Sequence, residues 1–147
     1  MKMLTLILMT TFATTTYAQD NSSLKTINQI EEAYNLCLQD AASTMAMQSC
    51  SLEANKKAEK ELQVVTNQIY ASLDGHLQAG DYSKEDVKEI KARINKSKKT
   101  WDAYVLAKCD LQGVEMLGGT GEGIIIFGCY ATSTIEYVKN LQNTFGL

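Results

Sequence analysis

Residues 62–77 read LQVVTNQIYASLDGHL, and Leu62, Val65, Ile69, Leu73 and Leu77 recur in it at steps of three and four. That period places all five on one face of an α-helix and predicts that the face is buried. The chain has no proline, so no backbone donor is missing and long uninterrupted helices are permitted. Working outward, the helix is expected from about Met45 to Gln78, with Met45, Cys50 and Leu52 continuing the stripe. Glu53–Glu61 is rich in charge and is expected to face solvent. Gly75 weakens the helix by roughly 1 kcal/mol relative to alanine, and Gly80 is the expected stop.

Similar patterns flank it. An earlier helix is expected over about Ser23–Leu38, capped by Ser22 or Ser23, with Leu24, Ile27, Ile30, Tyr34 and Cys37 on one face. A short connection over Asp40–Thr44 follows. A third helix opens at Ser83, where Asp86 completes a capping box, and buries Val87, Ile90, Ile94, Trp101, Val105 and Cys109. The lysines Lys96, Lys98 and Lys99 read as a solvated edge of it. Six of the nine glycines fall between Gly113 and Gly128, and the irregular segment is placed at about Leu111–Gly123. Ile124–Phe127 (IIIF) is short and wholly apolar, so periodicity does not separate strand from helix. No second strand is available to pair with it, which favours helix. A last helix to about Thr144 turns Cys129, Ile135, Val138, Leu141 and Phe145 inward. The expected fold is all-α, an antiparallel bundle of about four helices with two disulfides and one glycine-rich loop.

The start of the chain reads as an export signal. Lys2 is followed by the apolar run Met3–Met9, and Thr16-Tyr17-Ala18 places small residues at the two positions a signal peptidase reads. The run is too short to span a bilayer, and no cysteine follows it closely, so neither a membrane span nor a lipid anchor is expected. Residues 1–18 are assigned as the signal peptide and 19–147 as a single domain in the periplasm or secreted. Without its signal the chain carries 13 basic and 17 acidic residues. That mildly acidic balance argues against nucleic acid or anionic lipid as a partner.

Cys37, Cys50, Cys109 and Cys129 are an even count in an exported chain, which reads as two disulfides. Four cysteines allow three connectivities and sequence does not choose among them. Local pairing, Cys37 with Cys50 and Cys109 with Cys129, is the favoured one. Each closure is of a size worth roughly 3 kcal/mol in the chain-entropy account. The spacings lack the close cysteine pairs of a zinc site, and no metal or cofactor is expected. His76 is the lone histidine and reads as a surface residue, and the acids lie on charged helix faces, so no catalytic set emerges. Gly118–Gly123 lacks the Gly-Lys-Ser/Thr ending of a phosphate loop. Asn21-Ser22-Ser23 matches a common glycosylation tripeptide. Trp101, Tyr104 and Tyr34 read as core aromatics rather than as a recognition platform.

The ordered set Cys37, Met47-Gln48-Ser49-Cys50, Glu53, Leu62, Tyr70, Trp101-x2-Tyr104-x4-Cys109-Asp110, Gly118-Gly119, Cys129 and Thr134 resembles the LprI-like lysozyme inhibitor family. Two places depart from the family pattern. Ala107-Lys108 stand before Cys109 where an arginine-aspartate pair is common, and Tyr130–Tyr137 contains no arginine. The resemblance implies a helical envelope protein with two disulfides, no enzyme activity, and a protein partner such as a c-type lysozyme. The alternative is a periplasmic interaction or immunity module for a different protein. A loop held in shape by a disulfide suits steric blocking, and Glu115, Gly118, Gly119 and Glu122 are the residues expected to meet a partner.

Overall fold

A computed structural model of the chain describes residues 22–147. The expected export signal Met1–Ala18, the mature start at Gln19 and the Asn21 of the glycosylation tripeptide lie outside the described residues. Four helices follow in order: α1 (Ser22–Asp40), α2 (Thr44–Ala79), α3 (Lys84–Gly113) and α4 (Glu122–Phe145). A 3-10 turn, Val114–Met116, separates the last two, and there is no strand among the described residues. The all-α expectation holds, and Ile124–Phe127 forms the first turns of α4. An isolated strand would leave its backbone groups without partners, whereas a helix satisfies them internally.

Local signals set the helix ends. The Ser43 hydroxyl accepts from the Ala46 amide at 3.2 Å and opens α2. Gly80, at φ 83°, closes α2 in the left-handed conformation. Ser83 and Asp86 form the expected capping box: the Ser83 hydroxyl accepts from the Asp86 amide at 3.1 Å, and the Asp86 carboxylate accepts from the Ser83 amide at 3.0 Å. The Ser83 hydroxyl, donating to the same carboxylate at 2.7 Å, and then the Ser83 amide hold Asp86 below the usual carboxylate range.

Cross-helix contacts define the arrangement. Tyr34 of α1 bonds Ser51 of α2, and Lys91 of α3 pairs with Asp74 of α2 at 2.6 Å. Lys108 of α3 reaches Ser133 of α4, while Ser97 reaches Tyr137, so α3 and α4 run in opposite directions. Between α2 and α4 the order is parallel: a side chain at Gly123 would meet Gln48, one at Gly128 comes near Ser51, and Thr134 bonds Asn55. The α2–α4 pair is the most extensive interface. α1 and α3 each pack on α4, and the two do not touch one another.

The two ends of this spine differ in what fills them. At one end Ile27, Leu62, Val65, Ile69, Val138 and Leu141 belong to one large aliphatic cluster, each large side chain stabilising by about 1.5–3 kcal/mol. At the other end the buried residues that α2 and α4 contribute besides cysteine are small: Ser51 and Ala54 from α2 and Ala131, Ser133 and Thr134 from α4. That is where both disulfides lie. Cys37 pairs with Cys50 and Cys109 with Cys129, at Cα separations of 5.8 and 5.5 Å.

Several expectations need correction. Met45 is 79% exposed rather than inward, because it sits in the first turn of α2, ahead of the point where α4 begins to cover the helix. Glu53–Glu61 is not wholly solvent-facing: Ala54, Ala58 and Glu61 are buried, their alanines serving as the contact face toward α4 and α1. The irregular segment is also shorter than Leu111–Gly123, since α3 runs to Gly113 and α4 starts at Glu122. Gly128 belongs to a helix, where a Cβ would come within 2.9 Å of the Tyr34 hydroxyl. A side chain there would press on the Tyr34 hydroxyl and its bond to Ser51.

Two predictions follow from this distribution. Replacing Cys109 and Cys129 together by serine lowers unfolding stability by about 3 kcal/mol, read by chemical denaturation, because little aliphatic surface secures that end. Glu61 is buried with Oε1 lacking a partner, and burial raises its pKa above the ordinary glutamate range. The folded state thus holds the proton more tightly than the unfolded state. The stability this confers is complete below the unfolded pKa and is lost as pH rises through the folded one. Glu61→Gln therefore stabilises the protein at about pH 7 and has little effect at about pH 3, where the carboxyl is protonated in both states.

Candidate protein-binding site

The connection between α3 and α4 is built on the Cys109–Cys129 disulfide, with Val105, Cys109 and Cys129 forming a small buried cluster beneath it. The bond closes a separation of 20 residues. Tyr130, next to the staple, is held above the ordinary tyrosine range by burial and then by the Asp110 carboxylate, which accepts its hydroxyl proton. Gly113 sits at the end of α3, where a Cβ would collide with Ile126 of α4 at 2.7 Å. Its absence lets the two helices close tightly on the base of the loop.

Above that base the chain turns within a few residues. The Leu117 amide donates to the Val114 carbonyl at 3.2 Å and the Gly119 amide to the Met116 carbonyl at 2.8 Å. Gly118 takes φ 73°, a conformation that costs an L side chain about 1–2 kcal/mol. The Gly118 amide donates to Glu122 Oε2 at 2.9 Å, so the first residue of α4 ties the turn down. The carboxylate also faces the positive end of the α4 dipole.

The four residues expected at a partner surface therefore divide by role. Glu115, Gly118 and Gly119 are exposed and Glu122 half-buried. Glu122 spends one oxygen on the turn and Gly118 supplies its shape, while Gly119 donates within it. Glu115 is exposed, and no hydrogen bond or ion pair engages it among the described residues. Sequence reading passed over the apolar members of the same segment. Leu111, Val114, Met116 and Leu117 are 72, 55, 51 and 75% exposed, an unusual concentration for so short a stretch. The available signal was four large apolar residues within seven positions, falling off the helical stripe. From Cys109 to Cys129 the acids Asp110, Glu115 and Glu122 meet no lysine or arginine. The projection is thus apolar, acidic and covalently anchored.

The three aromatics considered as a platform are dispersed. Tyr34 is buried against Ser51, at 3.1 Å between hydroxyls. Trp101 is half-buried and stacks on Tyr137 with centroids 4.6 Å apart, and Tyr104 is exposed. His76 is an exposed residue that pairs with Asp81 at 2.9 Å. Among the described residues no group of histidines, cysteines and carboxylates is placed to hold a metal ion, and no helix is long and apolar enough to cross a membrane.

The family profile described as Lysozyme inhibitor LprI matches residues 37–141. The match begins at the first cysteine and takes in both disulfides, the anchored turn and most of α4. An uncharacterized protein of Rhizobium meliloti (strain 1021) is 29% identical over 106 residues, covering 69% of this chain and 73% of that protein. No solved structure matches the chain.

The turn supplies its own test. Glu122→Lys removes the acceptor for the Gly118 amide and speeds its hydrogen exchange about tenfold or more, whereas Glu122→Gln keeps an accepting oxygen and has a smaller effect. Equal exchange in both variants and the parent would show that the tie does not order the turn.

Proposed function

The chain belongs to the lysozyme inhibitor LprI family, and from that premise we propose that it is an exported binding protein that blocks a muramidase with the turn between α3 and α4. Family and disulfides agree with a protein outside the cytoplasm. The observation that carries the reading is the exposed Leu117 beside the unengaged Glu115, on a segment closed by Cys109–Cys129. Inhibition by obstruction asks for a projection that keeps its shape before it binds, since ordering a free loop on contact subtracts from affinity. The disulfide, the Gly118 turn and the Glu122 tie meet that demand. Leu111 and Leu117 supply apolar area to be desolvated at the centre of a contact. Glu115, with the net acidity of the segment, steers it toward the basic surface of a c-type lysozyme. The helices have no reacting role in this mechanism, and the partner's cleft is closed to its polymeric substrate sterically.

The test is lysis of a peptidoglycan suspension by a c-type lysozyme in the presence of the oxidised protein. Inhibition is expected to rise with dose and to weaken about tenfold, or 1.4 kcal/mol, in Glu115→Lys and again in Leu117→Ser. Both positions are exposed, so the helical signal and melting temperature should stay unchanged. Inhibition by both variants at parent strength would remove the turn as the blocking element. Absence of inhibition by the folded parent at large excess would remove this class of lysozyme as the target.

A further inference from the structure

α2 and α3 are in contact only over a limited stretch near their shared turn. There Tyr70 donates to Asn95 at 2.9 Å and Lys91 pairs with Asp74. Farther along they separate, and a groove of about 930 Å³ opens between them with α4 as its floor. It follows α2 from Leu52 to Asn67, about 22 Å at the helical rise per residue. Its volume lies at the upper end of the range usual for ligand sites. This groove is separate from the exposed turn to which the inhibitory role is assigned.

The lining combines two chemistries. Phe127, Tyr130 and Trp101 bring three aromatic rings to the groove, with Val105 and Leu106 beside them. Tyr137 stacks on the indole at an interplanar angle of 15° and holds it in one orientation. On the α2 wall stand three side-chain amides: Asn55, engaged by Glu59 and Thr134, and the exposed Gln63 and Asn67, each able to donate and accept. The charged groups cancel: Lys56 and Lys98 against Glu59 and Asp102. Three of the four are held by neighbours on their own helix, since Lys98 pairs with Asp102 at 2.7 Å and Glu59 accepts from Asn55 at 3.0 Å.

We propose that the α2–α3 groove binds a neutral oligosaccharide of N-acetylated hexose units. A polyanion would need a surplus of lysine or arginine, and a basic peptide a surplus of acid; the groove has neither. An amphipathic helix seats its apolar side in a continuous apolar channel, whereas this wall presents amides and charge at successive turns. A sugar chain matches both components. The C–H faces of its rings lie on aromatic surfaces, and its hydroxyls exchange hydrogen bonds with amides and pre-positioned carboxylates. The acetamido group adds a methyl suited to the apolar lining and an amide suited to the side-chain amides of α2.

Trp101 is the single tryptophan of the chain and lines the groove, so its emission reports occupancy directly. Titrating the oxidised protein with N-acetylglucosamine tetramer should give a saturable blue shift and protection from acrylamide quenching. The double variant Gln63→Ala and Asn67→Ala, at two exposed positions, should bind about tenfold more weakly with an unchanged melting temperature. Glu115→Lys should bind like the parent, which separates failure of this site from failure of the inhibitory turn. Calorimetry on Trp101→Phe, which keeps a ring against Tyr137, should show weaker but measurable binding. No saturable signal at millimolar tetramer overturns the proposal, as does parent-like affinity in the double variant. Protection of Trp101 by an amphipathic helical peptide and not by the sugar overturns it as well.

Discussion

The close parallel contact of α2 with α4 is the constraint on which the rest of the structure depends. Along half of the contact it is made by small residues: Ala54 clusters with Ala131, and Thr134 bonds Asn55 close to the buried Ser51. Small side chains let two helix backbones approach, but they remove little apolar surface from water, and burial scales with that surface. The opposite half is filled by Val65, Ile69, Val138 and Leu141 and coheres through burial. Both disulfides lie where the side chains are small. Covalent closure and aliphatic packing thus secure different ends of the same spine, and neither substitutes for the other.

The two proposed binding surfaces follow from that division. With α4 between them, α1 and α3 do not meet, and each is stapled to the spine by its own disulfide. The staple on α3 fixes the base of the projecting turn, where Gly113 allows the two helices to close. The same α3 diverges from α2 beyond the Tyr70–Asn95 contact, which leaves the groove open down to α4. An exposed apolar turn and an aromatic-floored groove are two consequences of one helix being held tightly to α4 and loosely to α2.

Polar groups inside the spine add a second layer. Gln142 is fully buried with neither side-chain atom partnered, and Glu61 is buried with one oxygen unpaired. Such groups cost stability unless satisfied. They sit on the two helices whose contact carries the fold, so the large aliphatic cluster offsets them. Glu31 and Lys139 form an ion pair between α1 and α4 at the surface, where water screens most of its energy.

Periodicity and caps are local properties, and these determined most of the fold. The three-and-four spacing from Leu62 to Leu77, the Ser83–Asp86 box, the Gly80 stop and the absence of proline specify helices without reference to any distant residue. The cysteines and their company with Trp101, Gly118 and Gly119 also made the family legible. What only tertiary structure decided depends on which helix covers which. Met45 carries the right residue type for a core but lies beyond the reach of α4. Ala54 and Ala58, hidden among charges in the sequence, form the contact face because a close helix pair selects small side chains. The pairing of cysteines was one of three choices until the helix ends were brought together. The tie between Glu122 and the Gly118 amide likewise depends on how the turn folds back onto α4. The apolar run ending at Leu117 was a signal in the sequence, but the α2–α3 groove was not legible, because concavity belongs to the spacing between elements, which one-dimensional order does not encode.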